Sequence, residues 1–207
     1  AEICAKLKFL PSGVDGLLSV SPYYSKPLQA GIIAHYKEIA SKTELPIILY
    51  NVPGRTSSNV SASTTLELAK IQNIVAMKEA SGDFDQIMEI LKNKPKDFTV
   101  LSGDDAITMP LITMGVEGVI SVIANALPER FSSMVNRTLN NEIYHAKKEH
   151  FELFDMIRLL FKEGNPGGVK EALVYRSICS NHMRLPLVPV SNVLKDKIHS
   201  EMKALLK

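Results

Sequence analysis

The chain has 207 residues, of which 45% are hydrophobic and 22% are charged, and its formal net charge is +2. This balance is typical of a globular domain, or of part of a larger one, with enough apolar material for a packed core. The small net charge gives no reason to expect nucleic acid as a partner. No stretch approaches the roughly 20 apolar residues of a membrane-spanning helix, so we expect no membrane partner either.

Short apolar runs rich in β-branched residues recur along the first part of the chain. Each is too short for a helix and too continuously apolar for a strand with one face in water, which is typical of a parallel sheet. These predicted strands are Gly16–Val20, Pro46–Tyr50, Ile74–Lys78, Phe98–Ser102 and Gly118–Val122. Helical patterns lie between and after them, at Leu28–Ser41, Ser63–Lys70 with Ser61 as N-cap, Asp83–Lys92, Ala106–Met114 and Ala126–Leu139.

Parallel strands joined by helices indicate an α/β fold, either a doubly wound sheet or a barrel. After about residue 140 the strand signals stop, and residues 141–207 have helical patterns broken at Gly164–Gly168 and Leu185–Pro189. Five β/α units fall short of the ~250 residues that an eight-unit barrel typically takes. We expect the missing units to lie before residue 1, unless a shorter protein closes its sheet in another way.

The segment YNVPGRTS places Tyr50 at the end of a predicted strand and Arg55 just after a Pro-Gly turn. In a barrel the carboxyl ends of the strands face the active site. A tyrosine there can pass protons, and an arginine can bind a carboxylate through two hydrogen bonds. Taken alone, each residue has a simpler interpretation, as aromatic packing at a strand end and as a solvated arginine.

The segment IVAMKEASGD closes an apolar strand with Lys78. Desolvation is costly for the ammonium group and lowers the pKa of a lysine, which frees the neutral amine. A neutral amine can attack a ketone and form an imine. An equally good explanation is a lysine whose head group reaches solvent from the strand end.

Two further segments follow strand ends. In SPYYSKP, Tyr23 and Tyr24 point in opposite directions if the chain is extended, so one can face a site and the other a partner subunit, although aromatic packing in a loop explains them as well. In LSGDDA, Gly103 lets the backbone approach a small ligand, and Asp104 or Asp105 is more simply the cap of the next helix.

In this order, the segments resemble the dihydrodipicolinate synthase family, within the N-acetylneuraminate lyase group of class I aldolases. The resemblance covers nearly the whole chain and rests on PYY, YNVPGRT, KEASGD, LSGDDA, GVISV, NPGGVK and LPLVPVS. It implies a (β/α)₈ TIM barrel, of which residues 1–140 hold the last five β/α units and residues 141–207 a C-terminal helical extension.

The resemblance also implies roles for individual residues. Lys78 matches the lysine that forms the Schiff base, and Tyr50 matches the tyrosine that relays protons. Tyr24 matches a relay tyrosine that reaches the site of a neighbouring subunit, and Tyr23 matches a residue of the dimer interface. The substrate-binding residues are Arg55 for the carboxylate of aspartate semialdehyde, Gly103 in the pocket wall and Ile120, whose backbone lies near pyruvate.

The implied reaction condenses pyruvate with L-aspartate 4-semialdehyde to 4-hydroxy-tetrahydrodipicolinate, in lysine and diaminopimelate biosynthesis. It needs no cofactor and no metal, because the lysine is itself the electron sink. The implied state is a cytoplasmic homotetramer, a dimer of dimers. The two distant cysteines, Cys4 and Cys179, also favour a reducing cytoplasm over a disulfide framework.

Two alternatives remain open. One is N-acetylneuraminate lyase or another 2-keto-sugar-acid aldolase, against which Arg55 argues, since sialic-acid lyases usually lack GRT after the turn. The other is an inactive truncated scaffold. The family's GTTGE segment, which binds the pyruvate carboxylate, has no match here, so we expect it upstream and expect little activity from these 207 residues alone.

Overall fold

The computed structural model describes residues 2–206, which form two compact units. The first unit comprises residues 2–104 and 114–120, and the second comprises residues 105–113 and 121–206. All of the site residues predicted from the sequence lie in the first unit.

The first unit contains a four-stranded parallel sheet in the order β1-β2-β3-β4. The first four predicted strands are therefore confirmed, each to within one residue at either end. They are β1 (Leu17–Val20), β2 (Ile47–Asn51), β3 (Ile74–Glu79) and β4 (Thr99–Ser102).

The fifth predicted strand is wrong in extent. It is reduced to one parallel bridge between Ser102 and Val119, beside which the amide of Ile120 donates to Ser102 O at 2.9 Å. In the second unit, the amide of Val122 donates to the Asp105 carboxylate at 3.0 Å, and the backbone at Val122 is helical, with φ −89° and ψ −50°. The predicted strand therefore ends early, because the chain turns there into a 3-10 helix.

The first unit also contains helices, which are α1 (Glu2–Lys6) with a 3-10 turn (Leu7–Phe9), α2 (Gln29–Ala40), α3 (Pro53–Thr56), α4 (Ala62–Leu68) and α5 (Phe84–Asn93). Of these, α2, α4 and α5 contact one face of the sheet. The Ser61 cap is confirmed, since its hydroxyl accepts from the amide of Thr64 at 3.2 Å. The buried Tyr36 of α2 donates its hydroxyl to Ser19 O of β1 at 2.9 Å, which joins the helix layer to the sheet.

Strand alternation decides which side chains face the helix layer. In β2, Ile47 and Leu49 are buried, whereas Ile48 and Tyr50 are half-buried on the other face. The end of strand β3 shows the same alternation of burial, since Lys78 is half-buried between two buried neighbours. Tyr50 and Lys78 therefore share the face that turns away from the helices.

The second unit is helical. Its elements are α6 (Thr108–Thr113), a 3-10 turn (Ile123–Asn125), α7 (Pro128–Leu139), α8 (Ile143–Phe161), α9 (Gly167–Tyr175) and α10 (Asn192–Leu205). Both predicted helix breaks are present, after α8 and after α9, although Gly167 and Gly168 of the first predicted break already belong to α9. The domain boundary at residue 140 stays a prediction. Within residues 2–206, no helix has both the length and the apolar character that crossing a bilayer requires.

Candidate active site

Lys78 and Tyr50 meet at the carboxyl ends of neighbouring strands. They are partners in the parallel register of β2 and β3, and the Lys78 Nζ atom lies 4.3 Å from the centroid of the Tyr50 ring. Both side chains are half-buried. The Lys78 amine therefore lies over the aromatic ring of the Tyr50 phenol.

Burial raises the pKa of the Tyr50 phenol, and the positive charge of Arg55 partly offsets this increase. The phenol is therefore protonated at neutral pH and is able to donate a proton. The face of the ring also attracts a cation at Nζ, whether this is the ammonium group or a protonated imine.

Gly103 leaves the space that the lysine side chain occupies. A Cβ atom at this position would lie 2.9 Å from Lys78 Cε and 2.8 Å from Ala80 Cβ. The amide of Gly103 donates to Glu79 O at 2.7 Å, which holds the backbone close to β3. Ile120 lies beside this segment through its hydrogen bond to Ser102. The structure thus brings Lys78, Tyr50, Gly103 and Ile120 together at the carboxyl ends of the strands. We call this end of the sheet the site edge.

Arg55 lies in α3, the single helical turn that follows β2. Its neighbour Thr56 is buried, and the Thr56 hydroxyl lies 2.9 Å from Ser58 O and 3.1 Å from Val52 O. The buried threonine holds the turn in place while the Arg55 side chain is exposed to solvent. This guanidinium is accessible to a carboxylate arriving from solution.

Tyr23 and Tyr24 lie in the loop after β1 and do not pack around the lysine within a single chain. Their side chains are 66% and 93% exposed. Tyr24 has a φ of +69°, which is uncommon for a residue with a bulky side chain. Their roles at a subunit interface stay predictions.

Two buried polar residues were missed by the sequence reasoning. Asn51 and Glu79 each follow a predicted site residue by one position, and they are 0% and 1% exposed. Burial raises the pKa of the Glu79 carboxyl, while hydrogen bonds from Asn51, Ser81 and Gln86 work in the opposite direction. The available signal was an amide and a carboxylate at strand positions that point toward the helices.

The edge therefore offers a half-buried amine, an adjacent protonated phenol and an exposed guanidinium. An amine with a neighbouring proton donor is suited to imine formation with a carbonyl compound. Among residues 2–206, no group of three or more His, Cys, Asp and Glu side chains is arranged to hold a metal ion.

Residues 4–205 match the model of the dihydrodipicolinate synthetase family. This chain belongs to that family. A 4-hydroxy-tetrahydrodipicolinate synthase of Parabacteroides distasonis is 50% identical over 194 residues, which cover 93% of this chain and 65% of the relative. The synthase of Methanosarcina mazei is 48% identical over 195 residues, covering 94% of this chain and 67% of the relative.

The fold of this chain is also similar to solved structures of dihydrodipicolinate synthases. The crystal structure from Aquifex aeolicus has a TM-score of 0.91 at 39% identity, and covers 94% of this chain and 67% of that one. The structure from Thermotoga maritima has a TM-score of 0.92 at 36% identity, covering 98% and 69%. The predicted fold class, part of a (β/α)₈ barrel, is confirmed. The chain spans about two thirds of the length of these relatives.

Proposed function

We propose that the protein of which this chain is part condenses pyruvate with L-aspartate 4-semialdehyde, giving 4-hydroxy-tetrahydrodipicolinate for lysine and diaminopimelate biosynthesis. The observation that carries the proposal is the Lys78 Nζ atom 4.3 Å from the Tyr50 ring, at the carboxyl ends of β2 and β3. The names of relatives up to 50% identical give the product, 4-hydroxy-tetrahydrodipicolinate.

The reaction begins when the Lys78 amine attacks the keto carbon of pyruvate. The Tyr50 phenol gives its proton to the departing hydroxyl group, which leaves as water, so that a protonated imine and a phenolate remain. The phenolate then takes a proton from the methyl carbon of the bound pyruvate. This step restores the phenol and turns the imine into an enamine.

The enamine carbon next attacks the aldehyde carbon of the semialdehyde, which restores the protonated imine, and the aldehyde oxygen takes the proton of the Tyr50 phenol. Arg55 binds the carboxylate of this second substrate, for which its exposed guanidinium is suited. The neutral amino group of the semialdehyde then attacks the imine carbon and passes one proton to the lysine nitrogen, so that Lys78 leaves as the free amine. The Tyr50 phenolate takes the remaining proton from the new ring nitrogen, and the cyclic product is released. We assign the pyruvate pocket to Gly103, which lies against the lysine side chain, and to Ile120, which is hydrogen-bonded to the neighbouring Ser102.

We infer that the active form is a homotetramer in the cytoplasm. Tyr23 and Tyr24 are largely exposed aromatic residues next to the site edge, and such residues are enriched at protein interfaces. In this arrangement Tyr24 of one subunit completes the proton relay of its neighbour. The free Cys4 and Cys179 support a reducing compartment.

The test is borohydride reduction in the presence of a high pyruvate concentration, followed by peptide mass spectrometry. We expect a reduced adduct on Lys78 and none on Lys70, a solvent-exposed lysine that serves as internal control. The variant Lys78→Ala should show no adduct. An unmodified Lys78 in a folded protein saturated with pyruvate would refute the mechanism.

A second assay separates the two substrate classes. Purified protein is given either pyruvate with aspartate semialdehyde or sialic acid alone. Product formation from the first mixture supports the proposal, whereas pyruvate release from sialic acid would contradict it.

A further inference from the structure

A buried polar pair lies directly behind the site edge. Asn51 and Glu79 are partners in the register of β2 and β3, one position beyond Tyr50 and Lys78. Because side chains alternate along a strand, the pair points into the helix layer while Tyr50 and Lys78 point the other way. The two pairs share the same short stretch of backbone.

The side chains of the pair contact each other directly. The Asn51 Nδ2 atom lies 3.2 and 3.1 Å from the two carboxylate oxygens of Glu79. The same amide group donates to Asn59 Oδ1 at 2.8 Å, and Asn51 Oδ1 accepts from the amide of Val60 at 3.0 Å. The Asn51 side-chain amide therefore donates only to acceptors, and its oxygen accepts from a donor.

The Glu79 carboxylate receives hydrogen-bond donors from two further directions. The amide of Ser81 donates to Oε1 at 2.6 Å, and Gln86 Nε2 of α5 donates to Oε2 at 3.2 Å. Gln86 in turn accepts from Asn59 Nδ2 at 2.8 Å. The side chain of Glu79 thus links β2, the end of β3 and the first turn of α5.

The backbone of the pair completes this arrangement. The amide of Ala80 donates to Asn51 O at 2.9 Å, and the amide of Gly103 donates to Glu79 O at 2.7 Å. Strand β3 is therefore held on both sides, one residue beyond Lys78. Burying a carboxylate is expensive, and apolar residues of similar size often stabilise a protein at least as well, so bulk stability is a poor explanation for the pair.

We propose that Asn51 and Glu79 are positioning residues that fix the separation of the ends of β2 and β3, and thereby keep Lys78 over the Tyr50 ring. This inference rests on the proposed function, because it assigns the pair to imine formation. It concerns geometry, and neither residue touches a substrate.

The test uses Glu79→Gln, Asn51→Asp and the double variant. Glu79→Gln puts an amide donor opposite the amide donors of Asn51 and Gln86. The double variant exchanges the two functional groups, so that a donor at position 79 again faces an acceptor at position 51. We expect the maximal rate of pyruvate trapping, per folded molecule, to fall about ten- to a hundredfold in Glu79→Gln, since small misplacements of reacting groups cost this much. The double variant should recover most of the loss.

Two readouts separate positioning from a merely structural role. The pyruvate concentration for half-maximal trapping should stay near that of the wild type while the maximal rate falls. The NMR shift of the Lys78 ε-methylene, which is bonded to the Nζ atom over the Tyr50 ring, should move toward solvent values in Glu79→Gln and return in the double variant. Assignment comes from the signal that Lys78→Arg loses.

Asn73→Asp serves as the matched control. The Asn73 amide donates to Ala40 O at 3.1 Å and to Thr43 O at 2.8 Å, at the opposite end of the sheet. This variant should lower the thermal midpoint and leave both readouts unchanged.

The inference is wrong if Glu79→Gln keeps the wild-type trapping rate and Lys78 shift, or if the double variant recovers neither. A wild-type protein that forms no adduct refutes the proposed function instead. The methylene shifts then still decide whether the pair positions Lys78.

Discussion

Replacing Gly103 with alanine probes the space beside the reactive amine. The new methyl carbon would lie 2.9 Å from Lys78 Cε, 3.1 Å from Lys78 Cγ and 2.8 Å from Ala80 Cβ. Carbon atoms in van der Waals contact stay about 3.5–4.0 Å apart. The methyl group therefore overlaps each of these atoms by roughly half an ångström or more.

Lys78 yields more readily than Ala80, because its side chain is flexible and one side of it is open to solvent. We expect the overpacking to destabilise the fold by about 1–3 kcal/mol. We also expect Nζ to move by about an ångström from its place over Tyr50, and a displacement of this size can lower a rate by roughly a hundredfold. The measurement is the initial rate of borohydride trapping, corrected for the folded fraction by circular dichroism.

Gly118→Ala provides the comparison. Its methyl group would meet only the end of the flexible Leu101 side chain, at 3.3 Å, so the trapping rate should stay at the wild-type level. If Gly103→Ala is folded and traps pyruvate as fast as the wild type, Lys78 does not depend on the space that Gly103 leaves beside it, and the prediction is refuted.

Three further outcomes are expected. Tyr50→Phe keeps the ring but removes the proton donor, so the rate of trapping should fall about 10²- to 10⁴-fold. Because burial raises the pKa of Tyr50, the trapping rate of the wild type should decline only above about pH 10. Burial also raises the pKa of Glu79, so this residue favours the folded state most below about pH 4.3 and progressively less as pH rises through its raised value. Urea titrations should therefore show the stability of the wild type, relative to Glu79→Gln, decreasing from pH 4 to pH 7, and a constant difference would contradict this. Gly168→Ala would place a methyl group in collision with Leu160 O, a backbone atom that cannot turn aside, so the thermal midpoint should drop sharply. Gly54→Ala, with open space around it, should leave the midpoint nearly unchanged.

Local sequence patterns predict the four strands of the sheet because each is a continuous apolar run that ends at a turn. The fifth run has the same character but forms only a single bridge. Asp105 withdraws the amide of Val122 from strand pairing, and this contact joins residues 17 positions apart. Such a contact leaves no trace in local periodicity.

The residues of the candidate site were likewise only partly predictable from local sequence. Motifs at strand ends identify Tyr50 and Lys78, yet only the register of β2 and β3 makes them direct neighbours. Asn51 and Glu79 were missed because a polar residue beside a motif is ordinarily solvated. Their burial depends on Gln86 and the loop at Asn59, which are distant along the chain.

Strand β1 is hydrogen-bonded along one side only, since the sheet order places β2 as its single strand neighbour among the described residues. The main-chain groups on its other side form an open template for a further extended segment, and Leu18 beside them is 49% exposed. In concentrated solution, two such chains can join edge to edge. A preparation limited to these residues therefore favours self-association, and its turbidity should grow with protein concentration.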